Sequence, residues 1–323
     1  MSFYIIVDII FKKHSLRSLY GHKQTCARRR DRKKHLLSLS NYTEEEIYEI
    51  LLKAKEISLK LTVGEKIPHL KNRYALLITK RSFSRSRVAF EVAVSTLQGS
   101  AIVSTLHGSE LENLINDKLS LEALAGYGMD AIVVQTSELN DAELIEKSVN
   151  IPIINANPKC GPCEALAALY TVWQEKGRLS GLKITFVGDS SAFADSFVYG
   201  FVNCGFDVTF VCPEELTPPE NVYDYCRQFG DVKISSDVTD GIKNADVIFV
   251  SDDGLSPDFD IDADTLAAYA PNATVLHTLP VSPDGNLKAD VTSSPNFAGL
   301  KEAGNLPLIE MAVLSLLVGK TAL

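Results

Sequence analysis

Apolar and polar residues along this chain fall into blocks whose period changes in a regular way. The first helical block is Ile47, Ile50, Leu51, Ala54 and Ile57, spaced for one face of a helix. The stretch Asn41-Tyr42-Thr43-Glu44-Glu45-Glu46 precedes it, with Thr43 placed to cap and Glu46 to complete a capping box. Short apolar runs then predict strands at 74–79, 100–105, 130–135 and 151–155, separated by helical spacing at 88–97, 119–126 and 141–148. Runs without polar alternation suit parallel strands buried on both faces. A long helix is predicted from about Pro162 to Glu175, and the alternation restarts after it. Strands are expected at 182–187, 207–211, 246–251 and 273–277, helices at 197–203 and 219–229, and a closing helix at about 308–317. Strand–helix alternation of this kind predicts parallel sheets with crossover helices. The expected fold is therefore α/β: two doubly wound parallel-sheet domains, with the C-terminal helix free to cross back to the first. The expected divisions are 1–35, 36–150, 151–305 and 306–323.

Composition narrows the class. With 323 residues, 46% hydrophobic and 23% charged, the chain has the balance of a soluble globular protein of two domains. Collagen, coiled coil and wholesale disorder are excluded. No apolar run approaches the ~18–20 residues of a membrane helix, so no membrane role is expected. A net charge of −9 argues against nucleic acid as the main partner. That charge is uneven: residues 1–35 hold ten Lys/Arg and two Asp, a net of +8, leaving −17 on the remainder. In this leader the apolar stretch Phe3–Phe11 comes before the basic residues, the reverse of a secretory signal. The leader fits a transit peptide, a basic tail, a misassigned start or a nuclear signal. Six cysteines, at 26, 160, 163, 204, 212 and 226, are too sparse for a disulfide scaffold. An intracellular, reducing location is expected, mitochondrial matrix or cytoplasm.

Candidate chemistry gathers after the predicted strands. Ser82-Phe83-Ser84-Arg85-Ser86-Arg87 follows a strand and opens a helix. Free N–H groups, the helix dipole and two arginines there would favour a phosphate, against the plainer reading of a solvated basic turn. Cys160-Gly161-Pro162-Cys163 has the spacing of a redox pair, against two incidental cysteines at a buried helix start. No second CxxC pair supports zinc, and no metal site is expected. Phe186-Val187-Gly188-Asp189 ends a strand at the sheet edge where α/β proteins bind ligands, but it is not GxGxxG, and no cofactor is indicated. Asp252 and Ser256 in Ser251-Asp252-Asp253-Gly254-Leu255-Ser256 can meet a cationic substrate or form an ordinary solvated loop. His277-Thr278-Leu279-Pro280 supplies a histidine that is structural or catalytic.

Taken in order, these motifs resemble the ornithine carbamoyltransferase branch of the aspartate/ornithine carbamoyltransferase family over about residues 36–320. Ser84, Arg85, Ser86 and Arg87 resemble the family's carbamoyl-phosphate loop; Gly177-Arg178-Leu179-Ser180-Gly181 is similar to its approach to the second domain. His277-Thr278-Leu279-Pro280 is similar to its His-Cys-Leu-Pro motif, and Asp252 and Ser256 to its amino-acid-binding motif. The resemblance implies a carbamoyl-phosphate domain at 36–150 and an ornithine domain at 151–305. It also implies a trimer, homomeric or mixed with a paralogue, with sites at subunit interfaces.

The departures fall on the chemistry. Where the family has a carbamoyl-holding arginine this chain has Gln135; its His-Pro-x-Gln reads Gly161-Pro162-Cys163-Glu164. Ala192 replaces a substrate-holding amide, Thr278 a cysteine and Leu306 the C-terminal arginine. Phe83 is either a substitution or an insertion in the phosphate loop. A hydrogen bond to a charged group is worth about 1.5–3 kcal/mol. Losing those at Gln135, Gly161 and Leu306 would cost on the order of 10³–10⁶-fold in rate if additive. Three readings follow: a family protein with weak or lost ornithine carbamoylation, an active carbamoyltransferase with an altered amine substrate, or a redox protein using Cys160 and Cys163.

Overall fold

The computed structural model describes residues 35–80, 84–106, 109–136, 140–157, 161–190, 196–251 and 254–319. Helices are α1 (Glu44–Thr62), α2 (Arg85–Thr96), α3 (Glu110–Asn116), α4 (Lys118–Gly126), α5 (Asp141–Glu146) and α6 (Pro162–Lys176). After these come α7 (Ser196–Asn203), α8 (Glu220–Cys226), α9 (Val238–Ile242), α10 (Ala263–Tyr269), α11 (Ala289–Thr292) and α12 (Gly299–Leu317). The strands are β1 (Tyr74–Thr79), β2 (Ser100–Thr105), β3 (Ala131–Gln135), β4 (Ile153–Asn155), β5 (Lys183–Val187), β6 (Asp207–Val211), β7 (Val232–Ser235), β8 (Val247–Val250) and β9 (Thr274–Leu276).

They form two all-parallel sheets, ordered β2-β1-β3-β4 and β7-β6-β5-β8-β9. Both are doubly wound α/β units, with the order reversing between β1 and β3 in one and between β5 and β8 in the other. Strand β4 lies past the boundary expected at residue 150, yet its pairing with β3 puts it in the first sheet. The backbone at Leu36 bridges to Ile154 and extends that sheet by one more chain segment.

Helix α1 begins where its sequence requires. The Thr43 hydroxyl accepts from the Glu46 N–H at 3.3 Å, and the Glu46 carboxylate accepts from the Thr43 N–H at 2.9 Å. Its periodic residues Ile47, Ile50, Leu51, Ala54 and Ile57 are all buried. Helix α6 starts with Pro162 at its first turn and ends on Gly177, whose φ of 71° suits a residue without Cβ. In the second unit Phe186 stacks on Phe210 and meets Phe201 edge-on, filling the space between sheet and helices with aromatic area.

The closing helix is longer than its pattern suggested, starting at Gly299 and running through Pro307. Proline lacks the N–H that would bond a carbonyl one turn back and so breaks the helical signal. Burial overrides it: α12 packs against α1, α2 and α6 and buries Leu306, Ile309, Met311, Val313 and Leu314. Strand β7 and the helices α3, α9, α10 and α11 also lacked a legible pattern; each is seven residues or shorter. Among the described residues no helix is long and apolar enough to cross a membrane.

Replacing Thr43 with alanine removes one half of the capping box. It is expected to lower stability by about 1 kcal/mol, read as a shift of the urea midpoint at unchanged slope.

Candidate functional site

Open parallel sheets bind ligands beyond the carboxyl ends of the strands where strand order reverses. In the first sheet that point lies between β1 and β3, whose last residues Thr79 and Gln135 are register partners. The Gln135 side-chain oxygen accepts from the Thr79 hydroxyl at 3.1 Å and from the Ser84 hydroxyl at 3.0 Å. Its amide nitrogen is buried with no hydrogen-bond partner. Ser84 is also the N-cap of α2, accepting from the Arg87 N–H at 3.1 Å. Gln135 is thus tied to the start of α2, directly before Arg85.

The charged groups of this loop are already engaged. Arg85 sits 3.5 Å from a Glu164 carboxylate oxygen, an ion pair longer than a charge-assisted hydrogen bond. Arg87 Nε meets Glu91 Oε1 at 2.8 Å, one turn along the same helix. Ser86 is buried. Glu164 projects from the first turn of α6 and is 3% exposed. Burial pushes its carboxyl up to about 7, with Arg85 pulling the other way.

Two further acids face the same charges. Glu302 and Glu310 lie on α12 at positions that share a face with Leu306, both are buried, and neither has a hydrogen-bond partner for either oxygen. Burial, reinforced by Glu164 and opposed by Arg85, pushes Glu302 up to about 8 and Glu310 well above the carboxylate range. Sequence reasoning passed over both. Glu310 carried a usable signal, a lone acid between Ile309 and Met311 in an apolar helical run.

Two of the positions expected to depart from the family pattern, Leu306 and Gly161, are tightly packed. Leu306 is fully buried. At Gly161 a Cβ would stand 2.5 Å from the Asn157 carbonyl oxygen and 2.8 Å from its nitrogen, so the backbone occupies the space of a side chain. Cys163 is 2% exposed. Burial, with help from Glu310 and Glu164, raises its thiol well above the ordinary value, opposite to the acidified thiol a redox pair uses.

In the second unit His277 is buried just past β9, and the Thr278 hydroxyl is buried without a hydrogen-bond partner. The structure puts Ser256 to local use: its hydroxyl donates to Asp258 at 3.1 Å and caps the short turn Pro257–Phe259. Between the units an open cleft of ≈ 560 Å³ joins Arg85 to Leu279, Val281, Phe297 and Leu300. The phosphate-loop and His-Thr-Leu-Pro segments therefore do converge. Phe83, Cys160, Ala192 and Asp252 lie outside the described residues.

Comparison with known proteins matches two family models. Residues 34–174 match the carbamoyl-P binding domain of aspartate/ornithine carbamoyltransferase, and residues 180–317 its Asp/Orn binding domain. The chain is 30% identical over 303 residues to an ornithine carbamoyltransferase of Pyrococcus abyssi, covering 88% of this chain and 95% of that one. It is 31% identical over 317 residues to the aspartate carbamoyltransferase catalytic subunit of a Roseiflexus species, covering 91% and 98%. The solved ornithine carbamoyltransferase of Pyrococcus furiosus superposes with a TM-score of 0.80 at 28% identity, covering 89% of this chain and 97% of that one.

Two outcomes are expected from this geometry. The folded protein holds protons on Glu164 and Glu302 that the unfolded chain releases near pH 4.5, so these groups' contribution is greatest below that pH. It declines as pH rises to about 8, where Glu302 titrates. Urea midpoints measured between pH 5 and 8 should fall, and Glu302→Gln should flatten the fall and raise stability at pH 8. Gly161→Ala should cost about 1–3 kcal/mol, because the Asn157 backbone must shift, and the same denaturation series reads it.

Proposed function

The chain belongs to the aspartate/ornithine carbamoyltransferase family, and from that premise we propose that its ornithine-type carbamoyl transfer is weak or lost while it still binds an anionic ligand at Arg85. The observation that carries this reading is the buried Glu164 carboxylate against Arg85. In a carbamoyl-transferring site that guanidinium would serve the phosphoryl group. Here an incoming dianion must displace, or share the guanidinium with, a carboxylate of its own sign. Glu302 and Glu310 add acid behind it, and Leu306 and Gly161 leave no donor that reaches the same point. Binding survives because the Arg85 side chain stays about one-third exposed and lines the cleft. The same reading carries a trimer, of one chain type or mixed with an active relative.

A second reading, transfer to an altered amine, is favoured by one feature: the cleft beside Arg85 is walled by apolar side chains. Relatives named for ornithine and for aspartate match about equally, so likeness alone selects neither acceptor.

With carbamoyl phosphate and ornithine, citrulline formation is expected at least about 10³-fold below that of an ornithine carbamoyltransferase assayed in parallel. Equal rates would overturn the reading. Calorimetry should find carbamoyl phosphate binding strengthened about tenfold or more by Glu164→Gln, which removes the competing charge and keeps the shape.

A further inference from the structure

Resting on the reading that Arg85 still takes an anion, we propose that the ligand of this cleft carries an uncharged aliphatic side group, seated on Leu279, Val281, Phe297 and Leu300. The argument begins with what the walls offer. The cavity of ≈ 560 Å³ lies in the range of small-molecule sites. Among the described residues its one charged wall group is Arg85. The only other described wall residue with a side-chain polar atom is Thr292, whose hydroxyl donates to the Ala289 carbonyl at 2.9 Å within its own helix. Among the described residues, then, the walls present no carboxylate for a side-chain ammonium and no second cation for a side-chain carboxylate.

The described walls offer either charge no partner, so neither gains by contact with them. An aliphatic group has the opposite balance. Leu300 is 73% exposed on the first turn of α12, and Phe297 is half-buried just before it, so apolar area stands ready to be covered. Arg85 lies across the cleft at the start of α2 and fixes the anionic end. The ligand class is thus an anionic head joined to an aliphatic body, such as a phosphorylated or carboxylated compound bearing a short alkyl chain. On this view the cleft has exchanged the polar recognition of a charged amino acid for apolar contact.

The test compares four probes on the full chain by calorimetry: phosphonoacetate, and its amides with L-norleucine, L-ornithine and L-aspartate. Every amide shares the phosphonate and the α-carboxylate, so only the side group differs. The norleucine amide is expected to bind at least tenfold tighter than phosphonoacetate and than either charged amide, at about fourfold per buried methylene. Leu300→Ser, at an exposed position, should reduce that gain severalfold and leave phosphonoacetate binding unchanged. If phosphonoacetate binds but the ornithine or aspartate amide equals or exceeds the norleucine amide, the aliphatic assignment is overturned and the anion site stands. If no probe binds at millimolar concentration, the anion site itself fails, and this assignment with it.

Discussion

Four ionisable side chains meet where α2, α6 and α12 pack together, and only Arg85 among them is basic. The meeting is forced by packing. Helix α12 returns from the second sheet to lie on α1, α2 and α6, and the apolar residues along it cannot be buried without burying Glu302 and Glu310 too. Three buried carboxyl groups then lie within the field of one partly exposed guanidinium, which pairs with Glu164. Burial moves all three upward; Glu302 and Glu310 keep their protons, while Glu164, paired with Arg85, titrates lowest, at about 7, and carries the negative charge that meets the guanidinium. Arg85 sits closest to Glu164 and is held there.

That constraint reaches the cleft. The strand order places the start of α2, and with it Arg85, at the reversal point of the first sheet. The residues around it are organised inward: Gln135 holds the Thr79 and Ser84 hydroxyls, Arg87 turns along its own helix, and Ser256 caps a local turn. Among the described residues, the cleft is lined by the Arg85 guanidinium, the Thr292 hydroxyl and an apolar wall.

Much of the fold was legible before any coordinates. Thr43 and Glu46 announced the start of α1, and continuous apolar runs located β1, β2 and β6 to the residue. The short helices α3, α9, α10 and α11 escaped, because a helical pattern needs about two turns to show a period. Pro307 misplaced the start of α12, since local backbone chemistry there opposed a helix that tertiary burial imposed. At the site, comparison of motifs singled out Gln135, Gly161, Glu164 and Leu306. The acids behind them were not, because Glu302 is separated from Glu164 by more than a hundred residues of chain and nothing local ties them together.

The sequence by itself determined the α/β class, the two parallel sheets and the family resemblance, because period, caps and motif spacing are local properties. The tertiary structure alone decided what surrounds the candidate site. Only packing brings Glu302 and Glu310 to Glu164 and Arg85, fills the room for a side chain at Gly161 with the Asn157 backbone, and sets Leu279, Val281 and Leu300 across the cleft from Arg85. Charge balance and cavity lining are sums over elements distant in the chain, so they take a value only once those elements are packed.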